Sequence, residues 1–470
     1  MSLSVLTDVQ IRALLENLTA DELEGFRNSL KSALHEYSTG TQSIEDGYIH
    51  QPHRTTISSA KTGTTTLFMP SCSTVGVGIK VITLSPPQSK DAKDTKPNVR
   101  PTGAITLFSE TGAPVGILHA STLTAFRTAL ASACLLVKRQ RVHTLTVFGC
   151  GEQAFWHVRL ALMERGSTIK HVNIINRRFS DNCKTILQRF YSTPAHIKER
   201  EGWKDATFSI LTPGYGEYQR LQREQIRAAD VIFCCTPSTQ ALFDASVLTN
   251  HEGRKKGRLI VAVGSYTPEM AELPVELLQQ ATKTHDGAHR HYHKHAPEGG
   301  VIIVDTLDGA MHEAGEIISA GLSPKQLVEL GELVMLHRIR QDESEMSDAS
   351  SLNSSSNLSA DFDKLEVSSN PSSMSTVFGS TSGSETPASP SRTSSPHRRS
   401  NSGFFHRRSS SQGPSSSERQ KTKDDHLARW LTYGNVVYKS VGLGLMDLTV
   451  GMDLIRFAKD RGIGSHIEGF

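Results

Sequence analysis

The β-branched run Leu145-Thr146-Val147-Phe148 breaks straight into Gly149-Cys150-Gly151-Glu152-Gln153-Ala154, a G-x-G-x-x-A turn suited to holding a pyrophosphate. In such a turn Gly149 makes the tight bend and Gly151 lets the backbone approach the phosphates. Ala154 keeps the following helix close to the sheet, and the helix N-terminus supplies N–H donors and the positive end of its dipole. Helical spacing from Phe155 to Glu164 and a second apolar run, Val172-Asn173-Ile174-Ile175, complete a βαβ unit. An unphosphorylated dinucleotide is usually met after that second strand by Asp or Glu, which accepts from the ribose hydroxyls. Here the chain has Asn176-Arg177-Arg178, and paired guanidinium groups suit a 2′-phosphate. The site therefore reads as one for NADP(H) by preference, with NAD(H) possible; the alternative is that the two arginines are a solvated charge pair.

Three further cations stand out. Lys80, in Val77-Gly78-Ile79-Lys80-Val81-Ile82, shares a strand face with Ile82 and either projects into a cleft or guards an edge strand. Arg127 lies at the start of a helix rich in small residues, Leu123-Thr124-Ala125-Phe126-Arg127-Thr128-Ala129. A guanidinium there needs an anion, either a protein carboxylate or a ligand carboxylate. Arg54, in His53-Arg54-Thr55, says little by itself.

Residues 136–341 alternate strand and helix signals in the manner of an open parallel sheet. The runs Val231 to Cys235, Leu259 to Val263 and Val301 to Val304 end in Thr236-Pro237-Ser238, Gly264-Ser265 and Asp305. Ligands bind outside the carboxyl ends of such strands, so these turns face the cofactor. Residues 1–135 differ: strands are expected at Thr65–Pro70, Val75–Leu84, Ala104–Phe108 and Val115–Leu118, then a helix from Ser121. The N-terminus reads as a short strand, an Asp8 cap and an amphipathic helix. A last helix is expected over Leu445–Ala458. The expected class is α/β, with a Rossmann-type parallel-sheet dinucleotide-binding domain (136–341) and a discontinuous α+β substrate and dimerisation domain (1–135, with 425–470 returning to it).

Between these parts lies an insertion, 342–424, expected to be disordered. There are 28 serines among residues 341–420, and such a composition cannot repay the entropy of ordering. Its Ser389-Pro390 and Ser395-Pro396 pairs and Arg407-Arg408-Ser409-Ser410 look like protein kinase substrates; an unselected spacer is the plainer alternative. The alternating His289, His291, His293 and His295 read as a solvated loop, and no metal site is expected. A net charge of +3 is too slight to imply nucleic acid or an anionic membrane, and no run approaches a membrane span. Six cysteines without a CxxC pair fit free thiols in a reducing, cytoplasmic setting.

The order of Arg54-Thr55, Phe68-Met69-Pro70, Gly78-Ile79-Lys80, Thr111-Gly112, Arg127-Thr128-Ala129, the glycine turn and Asn176-Arg177 resembles the ornithine cyclodeaminase/mu-crystallin family. So do Ala262-Val263-Gly264-Ser265, Glu272-Leu273, Gly315-Glu316 and the tail Ser440-Val441-Gly442-Leu443-Gly444-Leu445-Met446-Asp447. The resemblance implies a homodimer joined through its N-terminal domain, with a small amino or imino acid held between that domain and the nicotinamide. It assigns Arg54, Lys80 and Arg127 chiefly to the substrate carboxylate, and Glu152, Gln153, Asn176, Arg177 and Thr236 to the cofactor side. The stretch around Gly202–Tyr218 looks like an addition to the family core.

One departure bears on mechanism. The cyclodeaminases use an aspartate as acid/base at the position matched here by Ser238, and a hydroxyl cannot take up a proton as a carboxylate does at neutral pH. The expected activity is therefore reduction of a C=N bond in a small imino acid, or the reverse amino acid dehydrogenation, with Lys80 or a water held by Ser238 protonating the nitrogen. The alternatives are an NAD-dependent ornithine cyclodeaminase and a non-catalytic, nucleotide-binding regulatory protein.

Overall fold

A computed structural model describes residues 2–40, 48–85, 99–283, 299–333 and 427–470. The histidine-rich loop and the serine-rich insertion, on which the expected kinase substrates fall, lie outside the described residues. Among those residues two sheets form. The first contains β1 (Ser2–Leu6), β2 (Thr55–Ser59), β3 (Thr64–Ser73), β4 (Gly76–Leu84), β5 (Thr102–Phe108), β6 (Pro114–His119) and β15 (Ser465–Glu468), in the order β15-β1-β6-β5-β4-β3-β2. Strands β2 to β6 form an antiparallel meander, β1 joins β6 in parallel, and β15 closes antiparallel on β1.

Period two gives this sheet two characters. The row Met69, Lys80, Ile105 and Leu118 is buried under the helices Ala120–Leu136 and Gly444–Asp460. The opposite rows place Phe68 beside Val81, Pro70 beside Ile79, and Cys72 beside Val77, all partly exposed or exposed. Strand β4 runs between β3 and β5, so the edge-guard reading of Lys80 fails: an interior strand has no open edge to guard.

The second sheet is wholly parallel. Its strands are β7 (Thr144–Phe148), β8 (His171–Ile175), β9 (Thr207–Leu211), β10 (Val231–Cys234), β11 (Leu259–Ala262), β12 (Val301–Val304), β13 (Leu327–Glu329) and β14 (Val436–Lys439), in the order β13-β12-β14-β11-β10-β7-β8-β9. Chain order reverses direction between β7 and β10, which opens a crevice at their carboxyl ends. The molecule is thus an α/β protein with a Rossmann-type sheet beside a second, mixed sheet.

Two expectations need correction. The first helix, Asp8–Glu16, is capped by Thr7, whose hydroxyl accepts from the N–H of Gln10 in a capping box. Asp8 reaches instead to the N–H of Thr122 at 2.9 Å, joining the first helix to Ala120–Leu136. Residues 425–470 do not return as a block to the first sheet. Val436–Lys439 pairs with β11 and β12 in the parallel sheet, and only the later part, Gly444–Asp460 and β15, joins the N-terminal layer. The stretch around Gly202–Tyr218 contributes β9, an outer strand paired with β8. Among the described residues no helix is long and apolar enough to cross a membrane.

Candidate functional site

The carboxyl ends of β8, β7, β10, β11 and β14 stand in a row, and the turns that leave them carry most of the residues singled out by sequence. Gly149 leaves β7 at φ 106°, where L side chains are strained, and its N–H donates to Ile175 O at 2.9 Å. A β-carbon there would also lie 2.9 Å from the Thr236 methyl and 3.0 Å from Cys235 O. Gly151 is exposed at the start of the helix Glu152–Arg165, and a β-carbon at this position would meet nothing within 4 Å. No side chain caps that helix. An open glycine before an uncapped, 14-residue helix is the arrangement an anionic phosphate fits, with N–H donors and the dipole aimed at it. Ala154 is fully buried, and Gln153 Oε1 is buried without a hydrogen-bond partner among the described residues.

After β8 the two arginines face outward, while Asn176 turns back. Asn176 Nδ2 donates to Arg178 O at 2.7 Å, which shapes the turn. Arg177 and Arg178 are exposed, with no carboxylate partner among the described residues. Glu152, by contrast, is engaged: it accepts from Arg189 Nη1 at 2.9 and 3.1 Å and lies 3.5 Å from Arg12.

Sequence reasoning noted Glu272 only as part of a motif, and its role comes from the fold. Wholly buried, it accepts from Thr236 N at 2.8 Å through one oxygen and from Gly264 N at 2.6 Å through the other. One carboxylate therefore ties together the turns after β10 and β11. Val263, between them, donates its N–H to Cys234 O. Burial raises the Glu272 carboxyl to about 8, against the pull of Lys439 and the two N–H donors. Beneath it, Lys439 Nζ lies 2.5 Å from both Ser265 O and Ser265 Oγ, and Ser265 Oγ donates to Glu316 at 2.7 Å. Ser238 is not free in this row. Its hydroxyl donates to Gln240 O at 2.6 Å and accepts from Gln240 N at 3.2 Å, closing its own turn.

Two of the cations meet on one carboxylate. Asp447, in the first turn of Gly444–Asp460, accepts from Lys80 Nζ at 2.5 Å through Oδ2 and from Arg127 Nε at 3.1 Å through Oδ1. All three are buried. The anion that Arg127 requires is thus present in the chain, as a protein carboxylate. Its two η nitrogens, however, have no oxygen partner among the described residues: Nη1 is 3.4 Å from Met446 Sδ, and both lie against Gly442. Burial pulls the Lys80 ammonium down to about 8, and Asp447 opposes that pull.

The turn after β14 brings the third cation in. Asp305, at the end of β12, accepts from Ser440 Oγ and from the N–H groups of Val441 and Gly442, which fixes that turn. Gly442 adopts φ 87° there. Val441 O accepts from Arg54 Nη2 at 3.1 Å. Arg54 is also paired with Glu313, from Nε at 2.8 Å and through Nη2. So Lys80 and Arg127 share one carboxylate, Arg54 has its own, and Arg54 and Arg127 both touch the turn that follows β14. No hydrogen bond joins Ser238 to any of them.

A sequence model of the ornithine cyclodeaminase/mu-crystallin family matches residues 17–197. A Δ1-pyrroline-2-carboxylate reductase of Bacillus cereus is 28% identical over 272 residues, 57% of this chain and 68% of that protein. The ketimine reductase mu-crystallin of Mus musculus is 25% identical over 329 residues, 67% of this chain and 86% of its own. Among solved structures, the Δ1-pyrroline-2-carboxylate reductase of Thermococcus litoralis, in complex with NADH and L-proline, shares the fold at a TM-score of 0.57 and 16% identity, covering 98% of this chain and 99% of that one. Residues 17–197 are therefore similar in sequence to the ornithine cyclodeaminase/mu-crystallin family.

Proposed function

We propose that the protein is a nicotinamide-dinucleotide-dependent reductase of the C=N bond of a small cyclic imino acid. The observation that carries this reading is the state of Arg127: Nε is fixed on Asp447 while the η edge stands without an oxygen partner among the described residues, close to Lys80 on the same carboxylate. That edge fits a carboxylate in bidentate fashion. The names of the relatives support the reading, since one is a Δ1-pyrroline-2-carboxylate reductase and another a ketimine reductase.

A bound dihydronicotinamide would supply the hydride. The chain's residues do the rest. Gly149, Gly151 and the N–H groups of the following helix hold the pyrophosphate, with Gln153 and Ala154 supporting that turn. Thr236, Val263 and Gly264, tied by Glu272, form the wall for the nicotinamide. Arg127 orients the imine carbon by its neighbouring carboxylate, and positioning of this kind lowers the barrier by removing freedom before the reaction. Lys80, still an ammonium at neutral pH but with an acidity raised by burial, donates the proton to the imine nitrogen. Hydride to carbon and proton to nitrogen give the amino acid.

Arg177 and Arg178 favour NADP(H) through the 2′-phosphate. The partly exposed apolar face of the first sheet, Phe68, Ile79, Val81 and Val77, is the surface for a homodimer. Ornithine cyclodeamination is less well supported, because Ser238 offers no acid/base and its hydroxyl is spent on its own turn. The test is oxidation of NADPH and NADH by the purified protein with Δ1-pyrroline-2-carboxylate and Δ1-piperideine-2-carboxylate, beside ornithine with NAD. Consumption of reduced cofactor with an imine supports the reductase, and proline formed from ornithine without net cofactor change overturns it.

A further inference from the structure

Two thiols meet behind the glycine turn. Cys150, between Gly149 and Gly151, and Cys183, in the first turn of the helix Asp181–Ser192, bring their sulfurs to 3.3 Å, and both cysteines are free. They belong to different parts of the candidate dinucleotide site: Cys150 to the turn after β7, Cys183 to the segment that follows Asn176-Arg177-Arg178 after β8. Cys183 also helps to shape that second turn. Its sulfur accepts from Asn176 Nδ2 at 3.3 Å and lies 3.6 Å from Arg178 O and 3.7 Å from Ser180 Oγ. Cys183 is wholly buried, whereas Cys150 is 8% exposed, beside the exposed Gly151. An oxidant therefore reaches Cys150 first. Burial, with the second thiol beside it, pushes the Cys150 thiol up to about 12, so its thiolate is scarce at neutral pH and the pair reacts slowly.

We propose that Cys150 and Cys183 form a redox modification site, whose reversible disulfide weakens dinucleotide binding. With hydrogen peroxide as oxidant, the Cys150 sulfur attacks the O–O bond, keeps one oxygen as the sulfenic acid and releases the other as water. The Cys183 sulfur then displaces the sulfenic oxygen as a second water and closes the S–S bond. The two thiols give up two hydrogens and two electrons, the peroxide takes them up, and an external dithiol reverses the change. Closure draws the sulfurs from 3.3 Å to about 2.0 Å. Gly149 cannot follow, because its N–H is held on Ile175 O at 2.9 Å and its α-carbon is packed against Cys235 O and the Thr236 methyl. The movement falls on Gly151, where the backbone meets the pyrophosphate, or on Cys183 and the turn of Asn176 and Arg178. The inference rests on the dinucleotide reading of these turns and goes beyond it.

The test uses the full chain, freed of dinucleotide, treated with hydrogen peroxide and desalted. Peptide mapping without reductant should find Cys150 joined to Cys183, and NADPH fluorescence titration should show affinity lowered by about tenfold and restored by dithiothreitol. Because coupling between two sites is mutual, saturating NADPH should make the disulfide about tenfold easier to reduce in a glutathione buffer. Cys183→Ala should form no cross-link, and dimedone should capture Cys150 as the sulfenic acid instead. Should that variant not fold, Cys150→Ala takes its place and should yield neither product. A reduced chain that binds NADPH but forms no Cys150–Cys183 cross-link, or a cross-link that leaves the affinity unchanged, overturns the proposal alone. A reduced chain that binds neither NADPH nor NADH overturns the dinucleotide reading, and the proposal with it.

Discussion

Asp447 takes Arg127 by its Nε, 3.1 Å away, and leaves the η fork of the guanidinium without an oxygen partner among the described residues. The pair therefore serves as a mount that fixes the direction of the fork. Arg127→Ala removes a charge-assisted contact to the substrate carboxylate and should lower kcat/KM by about two to three orders of magnitude. It also leaves Asp447 with Lys80 alone, so the melting temperature should fall, since removing one partner from a buried ion group is costly. Arg127→Lys should recover only part of the activity, because an ammonium keeps the charge but not the fork. Imine kinetics beside NADPH fluorescence titration separate the effects. Normal imino acid binding together with lost stability would make Arg127 a structural ion-pair partner only.

The Lys80 ammonium, pulled from 10.5 to about 8 by burial, gives opposite pH signs for stability and for activity. Between pH 8 and 10.5 the folded chain has released a proton that the unfolded chain still holds. This group's contribution to stability is therefore least favourable below pH 8 and improves as pH rises through that window. Activity runs the other way, since the protonated amine is the donor, and kcat for imine reduction should fall above about pH 8. Asp447→Asn removes the carboxylate that holds the ammonium up, so the falling limb should move to lower pH by about one unit or more. A pH–rate profile of Asp447→Asn that coincides with that of wild type would remove Lys80 from the proton transfer.

Cofactor choice turns on two exposed side chains. Arg177→Ala combined with Arg178→Ala should raise the KM for NADPH by about tenfold or more while leaving that for NADH within about twofold, because only NADPH carries the 2′-phosphate. Asn176→Asp should push in the same direction. Equal effects on the two cofactors would show the arginines to be a solvated pair.

The centre of the parallel sheet, β7, β8, β10, β11 and β12, was legible because these strands are short apolar runs stopped by turns of suitable residue types, as Gly149 at φ 106° shows. What local pattern could not reveal is partnership across long sequence separations. Nothing in Val436–Lys439 says that these four residues insert between β11 and β12, far from their chain neighbours. Asp447 stood in a recognisable tail, yet its contacts with Lys80 and Arg127 span 367 and 320 residues. Glu313 gave no signal at all, since a glutamate at the end of a short helix is ordinary until the fold sets Arg54 against it. At the N-terminus the miss was local: Thr7 and Asp8 are both good caps, and the fold used Thr7 and sent Asp8 to Thr122.

Glu272 supplies the last prediction, because one buried side chain sets the spacing of two turns. Its two oxygens take the N–H groups of Thr236 and Gly264, and a β-carbon on Gly264 would lie 2.5 Å from Oε1, so the carboxylate is packed tightly against the backbone it ties. Glu272→Gln keeps the shape but replaces one acceptor with an NH2 group, which then faces an N–H donor. That leaves one backbone donor unsatisfied, at a cost of about 1–3 kcal/mol. If these turns form the nicotinamide wall, the loss should appear as weaker dinucleotide binding and a lower kcat, with the KM of the imine changed little. Glu272→Ala should be worse, because it leaves both donors unpaired beside a void. Isothermal titration of NADPH, with thermal melts run on the same samples, decides between a wall and a merely structural tie: a lower melting temperature with unchanged dinucleotide affinity would show that the turns after β10 and β11 do not meet the cofactor.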